Sequence, residues 1–253
     1  MNKTTQPYQG RSVLITGAAG RLGRDLARAL AAAGAARLYL VDRDEVALET
    51  LARELGPTAM MLPCDLSDAV AMREAWGGLD LAEGLDALFT AAGTLGSGAG
   101  LAEVTPEDWD ALFAINVRGT LLTIQLSLPA LRARRGAIVT YGSTAGLAGS
   151  RALGPYSASK GAVSMLTRSF ALSLAADGIR VNSVCPGSID SEMFDRTVEI
   201  AGGEGGRAAY LSMYPLGRFG EAAEVTAAAL FLGSPSASYI TGVELPVDGG
   251  RLA

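Results

Sequence analysis

Residues 12–23, SVLITGAAGRLG, decide the fold of this chain. The first five form a continuous apolar run, which is typical of a strand buried on both faces. Glycines follow, and the Ala/Leu-rich run 22–33 predicts a helix that Gly34 ends. A glycine turn between a strand and a helix presents backbone N–H groups and a helix N-terminus to a pyrophosphate. Such glycines also occur in purely structural turns, so the interpretation depends on the rest of the chain.

Short apolar runs alternate with helical stretches along the whole chain. Further strands are predicted at 38–41, 59–62, 85–90, 137–141, 179–184 and 243–247. Further helices are predicted at 45–55, 105 to about 131, 155–176 and 221–232. This alternation predicts an α/β, single-domain, Rossmann-type doubly wound fold with a seven-stranded parallel sheet and helices on both faces. The domain is expected to span 11–253, after an N-terminal tail at 1–10.

The 253 residues include no histidine. Ser-His-Asp and Cys-His hydrolysis, histidine-ligated zinc and histidine acid–base catalysis are therefore excluded. Proton chemistry must use tyrosine, lysine, serine, cysteine or carboxylate side chains, or a bound cofactor. Cys64 and Cys185 lie far apart and are expected to be buried thiols, so no metal site is predicted.

Charge and hydropathy exclude several classes of partner. The formal net charge is −5 and the basic residues are spread along the chain. Neither nucleic acid nor a membrane surface is therefore an expected partner. No apolar run approaches the roughly 18 residues of a membrane span, and the N-terminus lacks the apolar segment of a secretory signal. A cytoplasmic location is expected because cysteines are so few.

Asp42 stands at the end of the predicted second strand. A carboxylate in this place accepts hydrogen bonds from the adenosine ribose of a dinucleotide and repels a 2′-phosphate. The sequence therefore favours NAD as cofactor over NADP. Two other interpretations stay open: Asp42 could cap the following helix, with Glu45 three residues on, and the adjacent Arg43 could pair with a 2′-phosphate.

Tyr156 and Lys160 lie four residues apart on the predicted helix 155–176, so their side chains project from one face. A free phenol titrates at about pH 10, and a nearby ammonium group lowers that pKa, which would make Tyr156 a usable general acid or base. The same spacing also occurs on solvated surface helices. Ser157 and Lys160 fit the Ser-x-x-Lys pattern of penicillin-recognising hydrolases, but the accompanying Ser-Asp-Asn and Lys-Thr-Gly elements do not occur here.

Taken together, the motifs resemble those of the short-chain dehydrogenase/reductase superfamily over nearly the whole chain after Gly10. The family's Tyr-x-x-x-Lys matches Tyr156 and Lys160, its serine matches Ser143 in IVTYGSTAG, and its asparagine matches Asn116 in FAINVRGT. Length and C-terminus are those of the classical subgroup. The resemblance implies that these four residues are catalytic.

The same resemblance implies where a nicotinamide cofactor would lie. Asp65 in PCDLSD would border the adenine, the Pro-Gly segment 186–191 would flank the nicotinamide, and 239–250 matches the usual C-terminal signature. The implied cofactor contacts are Gly17, Gly20, Arg21, Leu22, Asp42, Asp65, Leu66, Ala91, Ala92, Gly93, Tyr156, Lys160, Pro186, Gly187, Ile189 and Ser191.

Four positions depart from the family pattern. Arg21 stands where glycine is usual, so it either points away from the pyrophosphate or clamps it. Thr90 replaces an asparagine that ties strands together and must find another partner. Gly142 occupies a position where serine is common, and Ser191 replaces a threonine but keeps the hydroxyl group.

The implied reaction is reversible hydride transfer between nicotinamide and a secondary alcohol or ketone. Tyr156 would exchange the hydroxyl proton, and Lys160 would lower the pKa of Tyr156 and bind the nicotinamide ribose. Ser143 would hydrogen-bond the substrate oxygen, and Asn116 would position a water that relays protons to solvent. The alternatives are an NADPH-dependent 3-oxoacyl or other carbonyl reductase and, from another class, a non-catalytic NAD-binding regulatory or scaffold protein.

A substrate lid is predicted over about 188–216, with the glycine-rich 202–206 as a mobile loop tip and loop 94–104 as the opposite rim. The predicted substrate contacts are Ser143, Tyr156, Met193 and Phe194. The apolar walls of the lid indicate an uncharged or partly apolar alcohol or ketone. By resemblance, the chain is expected to form a homotetramer or homodimer through its long helices.

Overall fold

A computed structural model describes residues 6–150 and 152–253. Its strands are β1 (Ser12–Thr16), β2 (Arg37–Asp42), β3 (Ala59–Pro63), β4 (Ala87–Thr90), β5 (Ala137–Tyr141), β6 (Arg180–Pro186) and β7 (Glu244–Val247). They form one sheet in the order β3-β2-β1-β4-β5-β6-β7, and every pairing is parallel. The strand order reverses between β1 and β4, which is where open α/β sheets bind their ligands.

The helices connect the strands as crossovers. They are α1 (Arg21–Ala32), α2 (Glu45–Leu55), α3 (Ala69–Gly77), α4 (Pro106–Phe113), α5 (Thr120–Arg134), α6 (Thr144–Leu147), α7 (Gly154–Leu174), α8 (Glu192–Ile200), α9 (Glu204–Leu211) and α10 (Ala222–Gly233). A π-helix, Ala114–Gly119, joins α4 to α5. Thr105 caps α4 by accepting a hydrogen bond from the N–H of Asp108, as its sequence predicts.

Alternate residues of each strand enter two separate hydrophobic cores. Val13 and Ile15 pack in one core with residues of α1, α2 and α10, whereas Leu14 packs in the other with residues of α3, α5 and α7. All three are fully buried, and burying a side chain of this size contributes about 1.5–3 kcal/mol. The predicted doubly wound fold, with helices on both faces of a seven-stranded parallel sheet, is therefore confirmed.

The helix predicted from 105 to about 131 is not continuous. The π-helix interrupts it at Ala114–Gly119, and the helical run then continues to Arg134. By length and composition the run Pro106–Arg134 could also cross a membrane. In this fold, however, Ile124 and Leu131 are fully buried in the core below the sheet.

Other boundaries also differ from the prediction. Gly205 and Gly206, expected in a loop tip, lie in α9, so the lid consists of two helices. Helix α3 was not predicted; Asp68 caps it by accepting hydrogen bonds from two backbone N–H groups. Residues 1–5 of the expected N-terminal tail lie outside the described residues. Within the same tail, Tyr8 is fully buried and its hydroxyl donates to the carbonyl of Leu230 at 2.8 Å.

Candidate active site

The glycine turn after β1 lies against the end of β4. Gly17 has φ +72°, and a Cβ atom there would lie 2.6 Å from the backbone of Ala92. A Cβ atom on Gly23 would overlap the carbonyl oxygen of Gly17. Only glycine permits these contacts, and the turn leaves the N-terminus of α1 open to a ligand. The residues present therefore fit the pyrophosphate of a dinucleotide.

Asp42 is fixed by two backbone N–H groups. Its Oδ2 accepts from Ala19 in the glycine turn at 3.0 Å, and its Oδ1 accepts from Asp44 at 3.2 Å. The residue that caps α2 is Asp44, which accepts from the N–H of Ala47 at 3.0 Å. The interpretation of Asp42 as the helix cap is therefore wrong, and its carboxylate faces the cleft beside Arg43.

This glycine-turn cleft has a volume of about 330 Å³. It is lined by Gly17, Gly20, Arg21, Leu22, Gly23, Asp42, Arg43, Cys64, Asp65, Leu66, Ala91, Ala92, Gly93, Thr94, Ile115, Ser191, Glu192 and Met193. Asp65 accepts a hydrogen bond from the N–H of Ser67 at 2.8 Å. That hydrogen bond, helped by the charge of Arg43, holds the pKa of the Asp65 carboxyl below its usual range.

A second cleft, called here the Tyr156 cleft, opens beyond the first toward α7. Helix α7 begins at Gly154, so Tyr156 and Lys160 lie in its first two turns and both are buried. Ser143 follows β5 and caps the short helix α6 by accepting from the N–H of Ala145 at 3.1 Å. The hydroxyl groups of Ser143 and Tyr156 belong to the lining of this cleft, together with Lys160.

Burial shifts the pKa values of Tyr156 and Lys160 in opposite directions. It raises the pKa of Tyr156 to about 12, and the neighbouring Ser143 hydroxyl opposes the rise. It lowers the pKa of Lys160 to about 8. Lys160 is not among the groups that shift the pKa of Tyr156, so the expectation that it lowers this pKa is not met. The Lys160 ammonium group lies 5.8 Å from the Tyr156 ring centroid and donates to the carbonyl of Tyr141 at 2.7 Å.

Asn116 lies behind Lys160, in the π-helix. Its Oδ1 accepts from the N–H of Thr94 at 2.9 Å, and its Nδ2 donates to the carbonyl of Thr94 at 2.9 Å and to Ser159 Oγ at 3.0 Å. A Cβ atom on Gly93 would lie 3.3 Å from Lys160 Nζ and 3.4 Å from Asn116 Oδ1. π-Helical turns often mark functional sites, and here the turn places a fully buried amide beside the lysine.

The segment after β6 is held by the lid. The hydroxyl of Tyr214 donates to Ser188 Oγ at 2.8 Å and accepts from the N–H of Ser188 at 2.6 Å. A Cβ atom on Gly187 would lie 2.9 Å from the Tyr214 ring. Ser191 caps α8 by accepting from the N–H of Phe194 at 3.3 Å. Tyr214 lies in the predicted lid, but no local pattern in the sequence predicts these hydrogen bonds.

The Tyr156 cleft is small, about 140 Å³. Phe194 is buried in its wall, with its ring edge-on to Tyr210 at 6.1 Å and tilted against Phe219 at 4.4 Å. Met193 is 41% exposed and lines both clefts. Arg251 also lines the Tyr156 cleft. It was not predicted, although it directly follows the C-terminal signature.

A family model described as enoyl-(acyl carrier protein) reductase matches residues 17–251 of this chain. Inactive 2-(S)-hydroxypropyl-CoM dehydrogenase 2 of Xanthobacter autotrophicus is 40% identical over 233 residues, which are 90% of this chain and 100% of that protein. The chain belongs to the short-chain dehydrogenase/reductase superfamily. Members of this superfamily are oxidoreductases that use a nicotinamide cofactor, NAD(H) or NADP(H).

Two further similarities support this assignment. Galactitol 2-dehydrogenase (L-tagatose-forming) of Cereibacter sphaeroides is 39% identical over 252 residues, covering 98% of this chain and 97% of that protein. The crystal structure of levodione reductase superposes with a TM-score of 0.89 at 32% identity, covering 96% of this chain and 98% of that chain. Relatives of this short-chain dehydrogenase/reductase therefore include named alcohol dehydrogenases.

Every cofactor contact implied by the sequence lines one of the two clefts of this short-chain dehydrogenase/reductase. Of the predicted substrate contacts, all four line the Tyr156 cleft. Asn116 lines neither cleft. It borders the site at Gly93, beside which both its Oδ1 and Lys160 Nζ lie. Arg21, whose direction the sequence left open, lines the glycine-turn cleft.

One expectation about the strands is wrong. Thr90 was expected to find a replacement partner, but its Oγ1 is buried without a hydrogen bond within the described part of the chain. The same holds for Thr16 Oγ1, which lies on the neighbouring strand in register with Thr90. The strands β1 and β4 are therefore joined here by their backbone ladder.

Proposed function

We propose that the protein is an NAD-dependent dehydrogenase that interconverts a small secondary alcohol and the corresponding ketone. The observation that carries the proposal is the junction of the two clefts. Tyr156, Ser143 and Lys160 meet there beside the Pro186-Gly187 segment. A bound nicotinamide supplies the hydride acceptor or donor for such a reaction. The protein supplies the proton transfer and the orientation of the substrate.

Tyr156 is the proposed general acid and base. Burial favours its neutral form, as the raised pKa indicates, so near neutral pH it is a proton donor to the oxygen of a ketone. In the oxidative direction its Oη takes the proton of the alcohol while its own phenol proton passes on toward Lys160. Ser143 donates to or accepts from the same substrate oxygen and holds the carbon in reach of the cofactor.

Lys160 and Asn116 form the proposed route for that proton toward solvent. With its pKa lowered to about 8, Lys160 changes its protonation close to neutral pH, which a proton relay requires. Its Nζ is also the proposed hydrogen-bond donor to the nicotinamide ribose. The side chain of Asn116 is fully buried and fixed by Thr94 and Ser159, so it holds the backbone around the relay in place.

NAD is the proposed cofactor because of Asp42. Its carboxylate lies at the end of β2 in the glycine-turn cleft and repels a 2′-phosphate. Arg43 lines the same cleft but is exposed, whereas Asp42 is fixed by two backbone N–H groups. These observations favour NAD over the NADPH-dependent carbonyl reductase considered above.

A small secondary alcohol is proposed from the size of the Tyr156 cleft. Its volume of about 140 Å³ lies below the roughly 300 Å³ at which pockets for drug-sized ligands begin. Galactitol 2-dehydrogenase, at 39% identity, is named for the oxidation of one secondary hydroxyl of a small polyol. That relative supports a secondary alcohol as the substrate.

A non-catalytic, NAD-binding protein is the second candidate. One relative at 40% identity is named an inactive dehydrogenase. In this chain Asn116, Ser143, Tyr156 and Lys160 are all present and brought together, and a purely scaffolding role requires none of them. Binding of NAD without turnover of any alcohol or ketone would favour this candidate.

The test has two stages. Thermal unfolding is first followed with NAD⁺, NADP⁺ and their reduced forms, because a ligand that binds the native state raises the midpoint. A panel of small secondary alcohols is then assayed by NADH absorbance. Preferential stabilisation by NADPH would contradict the cofactor assignment.

We also propose a cytoplasmic homotetramer or homodimer. Leu172 is 83% exposed and Met165 is 53% exposed on α7, and Tyr239 before β7 is fully exposed. Exposed large apolar groups on two separate surfaces support association. Light scattering coupled to size exclusion tests the oligomeric state, and a monomer would contradict it.

A further inference from the structure

Arg251 brings a positive charge to the substrate end of the Tyr156 cleft. Its Nη1 donates to Thr144 Oγ1 at 2.8 Å, and Thr144 directly follows Ser143. The guanidinium carbon lies 6.0 Å from the ring centroid of Tyr214. Burial raises the pKa of Tyr210, another residue of this wall, and the charge of Arg251 opposes that rise. Arg251 therefore faces the same space as the proposed catalytic hydroxyls.

The C-terminal turn aims Arg251 at the cleft. Gly249 and Gly250 have φ of +59° and +87°, which reverses the chain before Arg251. The carboxylate of Asp248 accepts from the N–H groups of Gly250 and Leu252, each at 3.0 Å. The nearest acid in sequence is thus occupied by the backbone, and the guanidinium group is directed away from it.

The charge of Arg251 has no counter-ion in the described residues. Several other arginines, among them Arg132 and Arg218, contact a carboxylate within 4.0 Å, but Arg251 does not. The lining of the Tyr156 cleft contains no aspartate or glutamate, and its two charged residues, Lys160 and Arg251, are both basic. The guanidinium group of Arg251 is half-buried, and a carboxylate is the preferred partner of such a group.

From this we infer that the substrate carries an anionic group, a carboxylate, which Arg251 binds while Ser143 and Tyr156 hold the hydroxyl or keto oxygen. The inference rests on the proposed function and names its substrate class, a short hydroxy acid and its keto acid. Arg251, Ser143 and Tyr156 line one small cleft, so the anionic group and the reacting carbon belong to one short molecule. The expectation of an uncharged substrate is replaced, because Arg251 was not included in it.

Binding of keto acids together with NAD⁺ tests the inference, since both partners are oxidised and no turnover follows. The probes are 2-oxopropanoate, 3-oxobutanoate and 4-oxopentanoate, each compared by calorimetry with its uncharged primary amide. The wild-type protein is expected to bind one acid at least roughly tenfold more tightly than its amide, as a charge-assisted hydrogen bond contributes. The series also measures the distance from Arg251 to the reacting carbon.

Arg251→Met is expected to weaken binding of that acid roughly 10- to 100-fold and to change binding of the amide less than about threefold. Arg132→Met is the matched control, because it removes the same charge at an exposed ion pair with Asp177. Equal binding of acid and amide to the wild type, or equal losses for both in Arg251→Met, would overturn the inference. A sulfonate analogue that binds better than every carboxylate would also overturn the choice of carboxylate.

The corresponding hydroxy acids and 2,3-butanediol are then assayed with NAD⁺. Turnover of the diol without any preference for acids would sustain the proposed function and overturn the role of Arg251. Arg251-dependent binding of a keto acid without turnover of any alcohol would support Arg251 and contradict the proposed function.

Discussion

The proposed catalytic floor (Asn116, Ser143, Tyr156 and Lys160) and the lid (residues 188–216) differ in the interactions that predominate in them. In the floor, hydrogen bonds to the backbone fix polar groups, such as the one from Lys160 Nζ to the carbonyl of Tyr141 at 2.7 Å. In the lid, aromatic rings and cations pack together, and the guanidinium carbon of Arg207 lies 5.1 Å from the ring centroid of Phe219. Hydrogen bonds are directional and apolar packing is much less so. The floor is therefore fixed mainly by directional hydrogen bonds, whereas apolar packing predominates in the lid, which the hydrogen bonds between Tyr214 and Ser188 also hold.

The largest expected effect is on kcat, in a comparison of Tyr156 in the floor with Tyr210 in the lid. Tyr156→Phe should lower kcat by about 10²–10⁴-fold, since it removes the general acid and base, and leave NAD binding nearly unchanged. Tyr210→Phe, in the same cleft, should lower kcat less than about tenfold. Steady-state kinetics and NADH titration measure both. Retention of more than roughly a tenth of the activity in Tyr156→Phe would refute the role of Tyr156.

Asp42→Ala should weaken NAD binding by roughly tenfold or more, because a charge-assisted hydrogen bond to the ribose is lost. NADP should gain, since the repelling charge is gone. Asp42→Asn is the control, because it removes the charge but keeps an acceptor for the N–H of Ala19. The ratio of kcat/KM for the two cofactors is the measurement, and an unchanged ratio in both variants would contradict the assignment.

Gly93→Ala should lower kcat/KM roughly tenfold with little loss of stability. The added Cβ would lie 3.3 Å from Lys160 Nζ, and small displacements of catalytic groups are costly. The matched control is Gly161→Ala on α7, where the nearest atom would be 3.7 Å away. If both variants are equally active, Lys160 can be displaced without loss of activity. That result would contradict the view that the floor must be held rigidly.

The pH profile of the activity should depend on the protonation state of Lys160. Because burial lowers its pKa to about 8, Lys160 becomes neutral above that pH and can then accept the proton that Tyr156 takes from the alcohol. Oxidation should therefore rise as pH increases through about 8, and reduction should fall. Lys160→Arg stays charged and should show no such limb. Measurement of kcat/KM from about pH 6 to about pH 10 in both directions tests this.

The smallest effect concerns two glycines of the lid. Gly205→Ala adds a methyl group into open space on α9 and should stabilise the protein by roughly 0.5 kcal/mol, because alanine favours the helix. Gly206→Ala should destabilise it, since its Cβ would lie 2.7 Å from the carbonyl oxygen of Ala201. Urea unfolding compares the two. The opposite order of stabilities would mean that α9 does not form as described.

Sequence patterns predicted the strands better than the connections between them. Continuous apolar runs such as Ser12–Thr16 and Ala137–Tyr141 coincide with the observed strands, because a strand buried on both faces needs apolar residues throughout. Helix α9 was missed because glycines at 205 and 206 lower helix propensity. The π-helix was missed because its hydrogen-bond pattern leaves no signature in apolar spacing.

The sequence by itself predicted the sheet and the glycine turn, because each depends on local spacing, and the family resemblance implied the four floor residues through short motifs. The tertiary structure decided their surroundings. Burial raises the pKa of Tyr156 and lowers that of Lys160, whereas the sequence led us to expect that Lys160 would lower the pKa of Tyr156. Packing of the C-terminal turn placed Arg251 beside Thr144, 107 residues away in sequence. Contacts between distant segments depend on the whole fold, so no local pattern could predict that Arg251 lines the Tyr156 cleft.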